Sequence, residues 1–337
     1  MHLKPKTNAM KSPYTGNEML LKTEPREFEF RKEKFNIQFH FYLCEQSGEE
    51  FESQQQSEIN HAQVINQYRA KHHIPFTEEI TATKEKYGLS ARQMSQILGF
   101  GINQYSLYEQ GEIPSISNGI SISMASNPHA FEQLVQTCSE LSESVRQKVL
   151  QKISVEKRKT PEVAELLLPF QNPGVMNGFR RFDFPRFTNL VIYFSAMVNP
   201  FKVKMNKLLF YADFAHYKYH GRSITGLNYE AIQMGPVPAH YQLLYDISKG
   251  RNTFNIEEIW FEDAGPSGEK FSAEINSFNK DIFSENELEI LNRVTNKFKS
   301  TTTNDIIKLS HDETGWKENV TGKELIPYSA AMNLIHL

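Results

Sequence analysis

The sequence predicts a mainly α-helical chain with small β elements, of the α+β class. Near the N-terminus, apolar and polar residues alternate with period two, which predicts a β-hairpin. In the middle, two short amphipathic segments separated by a glycine predict a helix-turn-helix within a five-helix type of domain. Towards the C-terminus, helical periodicity dominates and a few short runs have strand composition.

Length and charge limit the classes of protein that fit. The 337 residues suffice for several domains, and contents of 39% hydrophobic and 12% aromatic residues are typical of a globular protein. The net charge of -3 argues against a broad, sequence-independent grip on nucleic acid, so any DNA contact must be local. We predict a hairpin segment (1–55), a helix-turn-helix domain (56–128), a helical connector and linker (129–175) and a C-terminal domain (176–337).

The cysteine content and the lack of long apolar runs indicate a cytoplasmic location. The two cysteines, Cys44 and Cys138, cannot form a disulfide framework, so a reducing compartment is expected. No apolar run approaches the roughly 20 residues that a membrane helix needs, and residues 1–16 lack the apolar region of a signal peptide. We therefore expect no membrane partner.

The N-terminal hairpin is flanked by the remnants of two zinc knuckles. Phe35, Ile37, Phe39 and Phe41 alternate with polar residues, and residues 31–34 are the expected turn. The sequences SPYTG (12–16) and CEQSGEEF (44–51) lie where C-x-x-C pairs would flank such a hairpin, yet only Cys44 is a thiol. Structural zinc needs about four thiolate or imidazole ligands, so we predict a metal-free remnant. A plain turn at 12–16 is the alternative.

The segment LSARQMSQILGFGINQYSLYEQGEIPS (89–115) has the order of a helix-turn-helix. Ser90 is the expected cap of the first helix, Gly99 ends it, and a second helix ends near Gly111. Asn and Gln pair bidentately with adenine, and other polar side chains can hold phosphates. The predicted DNA-contacting residues are Gln93, Asn103, Gln104, Ser106 and Tyr108. Alternatively, the two helices only pack, since acidic residues outnumber basic ones between 77 and 115.

These features together resemble the MqsA-type antitoxins, in which a zinc ribbon is joined to a Cro-repressor-like DNA-binding domain. The likeness extends over about residues 10–135, and the zinc half lacks its ligands. It implies a homodimer that binds a palindromic operator. The apolar positions of residues 129–153 continue as one helical stripe, which would form either a dimer contact or a cover for this domain.

The stretch 204–241 is the most distinctive part of the C-terminal segment. Leu208, Tyr211 and Tyr219 recur at helical spacing and predict a helix that ends near His220, with Gly221 as its left-handed stop. Leu208 and Tyr211 are expected in the core. A β-rich run and a Gly-Pro-Val-Pro turn (235–238) follow. Residues 254–272 predict strands around a GPSG turn.

Motifs in this segment resemble those of the SocA-like family, also called the Panacea antitoxin domain. The matching positions, in order, are KLLFY (207–211), Gly221, Gly-Pro-Val (235–237), Tyr241 and SHDETGW (310–316). The resemblance implies a domain that binds and neutralises a separately encoded protein toxin. The partner-binding residues we expect are Tyr211, Gly235, Pro236, Val237 and Tyr241.

The hypothesis that the chain is a metal-dependent enzyme depends on two histidines. His216 and His220 lie one helical turn apart and can share a metal, but Tyr217 stands where H-E-x-x-H needs its glutamate. We therefore predict no catalytic residue, metal or cofactor. Three hypotheses stay open: an antitoxin that neutralises a toxin and represses its own operator DNA, a DNA-binding regulator without a toxin, and a metal-dependent enzyme.

Overall fold

The computed structural model describes residues 10–159, 171–249, 254–261 and 265–337. Contacts divide the chain into two compact units, one comprising Met1–Asn66 with Glu162–Leu337 and the other Gln67–Pro161. The division falls inside helix α1, Gln54–Lys71. The N-terminal hairpin thus shares a unit with the C-terminal segment. Part of the predicted linker, 160–170, lies outside the described residues, and the four predicted domain boundaries remain predictions.

The first unit begins with a four-stranded antiparallel sheet. Its strands, in spatial order, are β1 (Met10–Lys11), β2 (Glu18–Phe30), β3 (Glu33–Leu43) and β4 (Glu50–Phe51). The hairpin turn is formed by Arg31 and Lys32, both with positive φ. The alternating residues Phe35, Ile37, Phe39 and Phe41 are buried, as predicted.

Helix α1 covers the edge of β3 that β4 leaves open. The side-chain amide of Asn60 accepts from His40 N at 2.8 Å and donates to His40 O at 2.9 Å. In the same way, the side-chain amide of Gln63 accepts from Gln38 N at 2.9 Å and donates to Gln38 O at 2.8 Å. Two amides three residues apart on one helix face therefore replace a neighbouring strand, which protects an edge that otherwise invites intermolecular pairing.

The second unit is helical. Its helices are α2 (Thr77–Tyr87), α3 (Ala91–Leu98), α4 (Gln104–Glu109), α5 (Ile116–Ala125), α6 (Pro128–Thr137) and α7 (Glu143–Lys157). Ser90 caps α3, as predicted, since its hydroxyl accepts from Gln93 N at 3.2 Å. The N-cap of α2 is Phe76, whose backbone N–H donates to Glu79 Oε2 at 2.8 Å.

The core of this unit joins α2 to the α3–α4 pair. Tyr105 of α4 is fully buried, and its hydroxyl donates to Ile80 O at 2.7 Å. Met94 and Ile97 are buried beside it, and Leu98 and Phe100 pack against the same cluster. These five side chains therefore hold the two short helices together, as predicted.

The single helical stripe predicted over 129–153 is wrong, because α6 and α7 are separate helices. Cys138 leaves the helical region with ψ of 111° and is the C-cap of α6. Arg146 of α7 donates to Cys138 O at 2.7 Å and to Gln136 O at 3.0 Å. The guanidinium thus satisfies carbonyls at the end of α6, which a helix terminus leaves without intrahelical partners.

The C-terminal part of the first unit is built around two long helices, with short strands and further helices around them. The elements are α8 (Phe184–Val198), α9 (Lys202–His220), β5 (Tyr229–Ile232), β6 (Gly235–Pro238), α10 (Tyr241–Lys249), β7 (Asn255–Phe261), β8 (Gly265–Ser272), α11 (Glu285–Phe298), α12 (Thr303–Asp312) and α13 (Thr314–Asn319). Gly221 ends α9 with φ of 71°, as predicted.

Helix α9 lies at the centre of this region and is buried from Lys204 to Tyr217 on all sides. The sequence pattern predicted one apolar face, with Leu208 and Tyr211 in the core, and both are fully buried. The remaining faces are buried as well, because α8, α11, α12 and the β5–β6 ribbon surround the helix. A helix enclosed on every side needs partners for its polar residues too.

Both predicted Gly-Pro turns are strands. Gly235–Pro238 forms β6, paired antiparallel with β5. Its two prolines are tolerated because β6 is an edge strand, whereas the other edge of β5 bonds elsewhere, with Ala231 N donating to Glu324 O at 3.0 Å. Residues 265–268 lie within β8, where a register shift sets two residues opposite Trp260. Such a bulge accommodates a proline inside a strand.

The observed architecture confirms the predicted fold class. Helices dominate the described residues, and the strands form small antiparallel sheets. Within the described ranges, no helix is both long enough and apolar enough to span a membrane.

Candidate partner-binding site

Polar side chains of helix α9 hold the surrounding segments in place. Five of them are buried: Lys204, Asn206, Lys207, Asp213 and His216. An unsatisfied buried polar group costs about 1–3 kcal/mol, and each of these groups has a partner. Lys204 Nζ donates to Lys299 O at 3.2 Å and Thr301 O at 2.6 Å, which are carbonyls just beyond α11. Tyr245 of α10 donates to Asn206 Oδ1 at 2.7 Å.

Asp213 organises the segment that leads from α9 into β5. Its Oδ1 accepts from Ile224 N at 2.7 Å and Thr225 N at 2.8 Å, and its Oδ2 accepts from Thr225 Oγ1 at 2.5 Å and Tyr229 OH at 2.7 Å. Burial raises the pKa of this carboxyl, and the four donors oppose that rise. Asp213 therefore acts as a structural acceptor, and its oxygens face backbone and hydroxyl donors.

Lys207 holds strand β6 against α9. Its Nζ donates to Pro236 O at 2.9 Å, and burial lowers the pKa of the amine to about 7. Gly235 allows this close approach, because it has φ of 93° and a Cβ there would lie 2.5 Å from Ser310 Oγ and 2.6 Å from Lys207 Cε. The glycine and the lysine of two separate sequence motifs thus form one contact.

Glu313 joins α9 to the last residues of the chain. Tyr211 OH donates to Glu313 Oε1 at 3.2 Å, and the backbone nitrogens of Ile335 and His336 donate to the same carboxylate at 2.8 and 3.3 Å. Burial raises the pKa of Tyr211 far above its ordinary value, and the nearby carboxylate adds to that rise. The tyrosine therefore stays a hydrogen-bond donor.

Trp316 links α13 to strand β5. Its indole nitrogen donates to Ile232 O at 2.7 Å, and the His311 ring stacks on it at 3.9 Å between centroids and 9° between planes. The SHDETGW segment therefore contacts the same ribbon that Lys207 holds, and Ser310 and Lys207 both lie close to Gly235. Motifs that are distant in sequence meet around β5 and β6.

Most of the predicted partner-binding residues are interior. Tyr211 is fully buried, and Gly235, Pro236 and Val237 are buried in β6, whereas Tyr241 is half-buried at the start of α10. These four residues therefore lie in the interior and present little surface to a partner. The exposed surface beside them is the β5–β6 turn, where Met234 is 48% exposed.

His216 and His220 lie close together but lack the rest of a metal site. Their ring centroids are 4.7 Å apart, and His216 Nδ1 lies 2.6 Å from Arg222 O. Burial lowers the pKa of His216 to about 3, which favours the neutral ring. The residues described by the structure contain no group of three or more His, Cys, Asp and Glu side chains that could hold a metal ion. The nearby carboxylate of Asp213 is occupied by its own donors.

In the second unit, the predicted DNA-contacting residues lie on or beside α3 and α4. Asn103 is exposed at the start of α4 and makes no side-chain cap bond. Gln104 donates to Glu112 Oε1 at 3.0 Å. The remaining three are occupied locally: Gln93 in the capping box of α3, Ser106 with Gln110, and the buried Tyr108 with Asn118.

The two knuckle sequences fold into the same backbone turn. Gly16 N donates to Ser12 O at 2.9 Å, and Gly48 N donates to Cys44 O at 2.8 Å. Both glycines have positive φ, 73° and 71°. At 12–16 the backbone thus repeats the conformation found at the cysteine-containing knuckle.

The side chains of the two turns face one another. Thr15 Oγ1 lies 3.3 Å from Cys44 Sγ. Hydroxyl groups, first that of Ser47 and then those of Thr15 and Ser12, lower the pKa of Cys44 to about 6. Three hydroxyls and one thiol therefore cluster between the two turns.

A cleft that the sequence did not reveal lies between α9, α10 and the β7–β8 ribbon. It has a volume of about 560 Å³. Its lining residues are Phe201, Lys202, Val203, Lys249, Ile256, Glu258, Ser267, Gly268 and Glu269. Glu269 binds both lysines, and the bond to Lys249 measures 3.2 Å. These charges come from three separate elements, so no local motif marks them.

Trp260 is the most exposed large apolar side chain of the described residues, with 73% of its surface accessible. It lies at the register shift between β7 and β8. The only sequence signal for this feature is the alternation Ile256, Glu258, Trp260 along one strand, which sets the three residues on one face.

The comparison with known protein families defines the class of this region as an antitoxin domain. Residues 205–317 match the family described as Antitoxin SocA-like, Panacea domain. This part of the chain is accordingly a SocA-like Panacea antitoxin domain, in agreement with the expectation from its motifs. The match includes α9, the β5–β6 ribbon, the cleft-lining strands and Trp316. No curated protein and no solved structure matches the chain.

Proposed function

We propose that this chain is an antitoxin that binds and neutralises a cognate protein toxin through its SocA-like domain. The observation that carries the proposal is the match of residues 205–317 to that family. The match covers most of α9 together with the β5–β6 ribbon and α11, which pack against it. The toxin is a separate protein, and neutralisation consists of tight binding to it.

The chemistry of α9 supports a binding scaffold. In an open cleft, Lys207, Asp213 and His216 would be candidate catalytic groups. In this structure each forms a hydrogen bond with a backbone atom of another segment. Such buried, satisfied polar groups specify one arrangement of the surrounding segments. A rigid recognition surface gains affinity because little conformational entropy is lost on binding.

We further propose that α3 and α4 form a helix-turn-helix that binds operator DNA as a homodimer. Exposed Asn103 and the neighbouring Gln104 are suited to adenine edges, and the lengths of the two helices fit the motif. Lys84 is paired with Glu109 at 2.6 Å, and exposed Arg92 is the one basic residue on α3 and α4. Binding should therefore depend on base contacts more than on phosphate attraction.

The antitoxin proposal is tested by co-expression. The open reading frames that adjoin this gene are expressed singly and together with the full chain, and growth is followed after induction. We expect one product to arrest growth alone and to be harmless with the chain present. If no neighbouring product is toxic, or if co-expression gives no rescue, the proposal is wrong.

The DNA-binding proposal is tested with the DNA upstream of the same gene. Fluorescence anisotropy compares the full chain with a variant carrying Asn103→Ala and Gln104→Ala. We expect operator affinity to fall about tenfold or more, as for loss of specific base contacts, with toxin rescue intact. A control with Gln133→Ala and Gln136→Ala, exposed residues of α6, should bind normally. Equal affinity of both variants would refute the assignment, and would favour a packing role for the helix pair.

The N-terminal sheet is proposed to be a metal-free member of the zinc-ribbon type. The matching turns at 12–16 and 44–48 support this assignment, since a plain loop has no reason to repeat the backbone conformation of its partner knuckle. Its hydroxyl groups are neutral and do not replace the thiolates that zinc requires.

A further inference from the structure

The β7–β8 ribbon and the cleft beneath it carry an exposed surface with a mixed aromatic and acidic character. We propose that the surface formed by Ile256 and Glu258, which line the cleft, and by Trp260, the next residue but one along β7, is where the toxin docks, and that the toxin presents an arginine- or lysine-bearing segment to it. The inference rests on the proposed antitoxin function and adds the surface and the chemistry of the partner.

The first argument is the exposure of Trp260. Tryptophan is rarely left in water because its large apolar ring gains free energy on burial, and it is among the residues most enriched at energetic centres of interfaces. Trp260 leaves 73% of its surface accessible. At the register shift the extra residue belongs to β8, so the alternation of side chains along β7 continues through Trp260.

The second argument is the firm support of the ribbon. Phe271 of β8 is fully buried, packs against Tyr245 with ring centroids 4.9 Å apart, and donates its N–H to Pro200 O at 2.9 Å. Phe201 and Lys270 form a further bridge between the ribbon and the start of α9. The anchored end fixes the direction of β7, so Trp260 is presented from a preorganised strand.

The third argument is the charge around the cleft. Lys202 and Lys249 are both engaged by Glu269, whose pKa they lower. Glu258 accepts from the Ser267 hydroxyl, and among the described residues it forms no ion pair. Its carboxylate therefore keeps its charge available for a partner.

The spacing of these groups fits a cationic side chain. Residues two apart on a strand project from the same face about 7 Å apart, so Glu258 and Trp260 flank one position on the surface. A guanidinium or ammonium group there would pair with the carboxylate and lie against the indole ring. Ile256, half-buried in the cleft, offers apolar surface for the methylene stem of such a side chain.

The experiment uses the full chain and the toxin identified by growth rescue. Affinities are measured by biolayer interferometry for the wild type, Trp260→Ala, Glu258→Lys and Met234→Ala. Met234 is a matched control, because it is an exposed apolar residue of the same domain on the β5–β6 turn. We expect about tenfold or greater weakening for Trp260→Ala and Glu258→Lys, and no change for Met234→Ala.

A spectroscopic readout reports Trp260 directly. The chain contains two tryptophans, so labelling it with 5-fluorotryptophan gives two ¹⁹F resonances, and Trp260→Phe assigns them. With unlabelled toxin we expect the Trp260 resonance to shift while the resonance of half-buried Trp316, whose indole bonds Ile232 O, stays in place. Circular dichroism should show unchanged melting of Trp260→Ala, since the side chain contributes little to the core.

The outcomes separate this inference from the proposed function. If the wild type binds and rescues but Trp260→Ala and Glu258→Lys bind equally well, the docking surface is wrong and the antitoxin proposal stands. If Met234→Ala alone weakens binding, the β5–β6 turn is the contact surface instead. If no neighbouring product binds the wild type, both proposals fall.

Discussion

Replacing Asp213 by alanine tests whether the polar groups of α9 hold the SocA-like domain together. The carboxylate receives two backbone N–H donors and two hydroxyl donors at 2.5–2.8 Å, all in the interior. The hydroxyls of Thr225 and Tyr229 can rotate towards other acceptors, whereas the N–H groups of Ile224 and Thr225 cannot. Each unsatisfied buried N–H costs about 1–3 kcal/mol.

The expected loss is therefore about 3–5 kcal/mol, after the hydroxyls relax and the cost of burying a carboxylate is removed. Asp213→Asn should cost only about 1–2 kcal/mol, because its amide oxygen can accept the two N–H donors and its NH₂ can donate to the hydroxyls. The ranking of the two variants is a more reliable prediction than either value alone.

The assay is urea unfolding followed by the fluorescence of Trp316. A Trp260→Phe background leaves Trp316 as the sole tryptophan, and its bond to Ile232 O makes it a reporter of strand β5. Asp246→Ala, which removes an exposed carboxylate from α10, serves as the control and should cost less than about 0.5 kcal/mol. Equal stability of Asp213→Ala and Asp213→Asn would refute the reasoning, as would a loss below about 1 kcal/mol.

Two further predictions concern buried titratable groups. The pKa of His216 is about 3 in the folded chain and near 6.5 when unfolded, so the unfolded chain binds a proton first as the pH falls. The stability of the folded chain is therefore unaffected by this residue above pH 6.5 and decreases below it, by about 2 kcal/mol at pH 5. His216→Gln should remove this dependence in urea titrations at pH 7 and pH 5, and a parallel loss in both proteins would contradict it. In the N-terminal sheet, the wild type should hold no stoichiometric zinc by elemental analysis, whereas the triple variant with cysteine at 12, 15 and 47 should bind one zinc per chain. The 3.3 Å between Thr15 Oγ1 and Cys44 Sγ is close to the roughly 3.8 Å between sulfurs of a tetrahedral site, and tetrathiolate absorption with cobalt would verify the geometry.

Much of the fold could be predicted because local signals agree with it. The alternation at 35–43 predicted β3, and Ser90 and Gly221 were recognised as helix ends from side-chain capping and from the freedom of glycine at positive φ. These features depend on interactions within a few residues. The SocA-like identity was also visible in the order of motifs between 207 and 316.

Predictions from local sequence patterns were wrong where a residue of another element supplied hydrogen bonds. Gly-Pro-Val-Pro is typical of a turn, yet it is a strand because β5 bonds it on one side and Lys207 holds it on the other. The helical stripe over 129–153 is broken at Cys138, where Arg146 satisfies the carbonyls that end α6. In both cases the hydrogen bonds come from a neighbouring element, Lys207 of α9 for β6 and Arg146 of α7 for the end of α6, and periodicity within one segment does not reveal them.

The candidate site also combines features that the sequence predicted with features that only the fold revealed. The helical periodicity correctly placed Tyr211 in the core, but the sequence did not show that Val237, identified through its motif, is also interior. The cleft and the exposed Trp260 were missed, since Lys202, Lys249 and Glu269 lie on separate elements and meet only after folding.

The sequence by itself determined the class of fold, the positions of a few helix ends such as Ser90 and Gly221, and the family of residues 205–317, because periodicity, capping and motif order are properties of neighbouring residues. Only the tertiary structure decided which side chains are exposed. Helix α9 has one apolar face in its sequence, but it is enclosed on all sides because Lys204, Asn206, Lys207, Asp213 and His216 each find a hydrogen-bonding partner in another segment. Burial of a polar group is favourable only when that partner is present, and the partner's position is set by the whole fold.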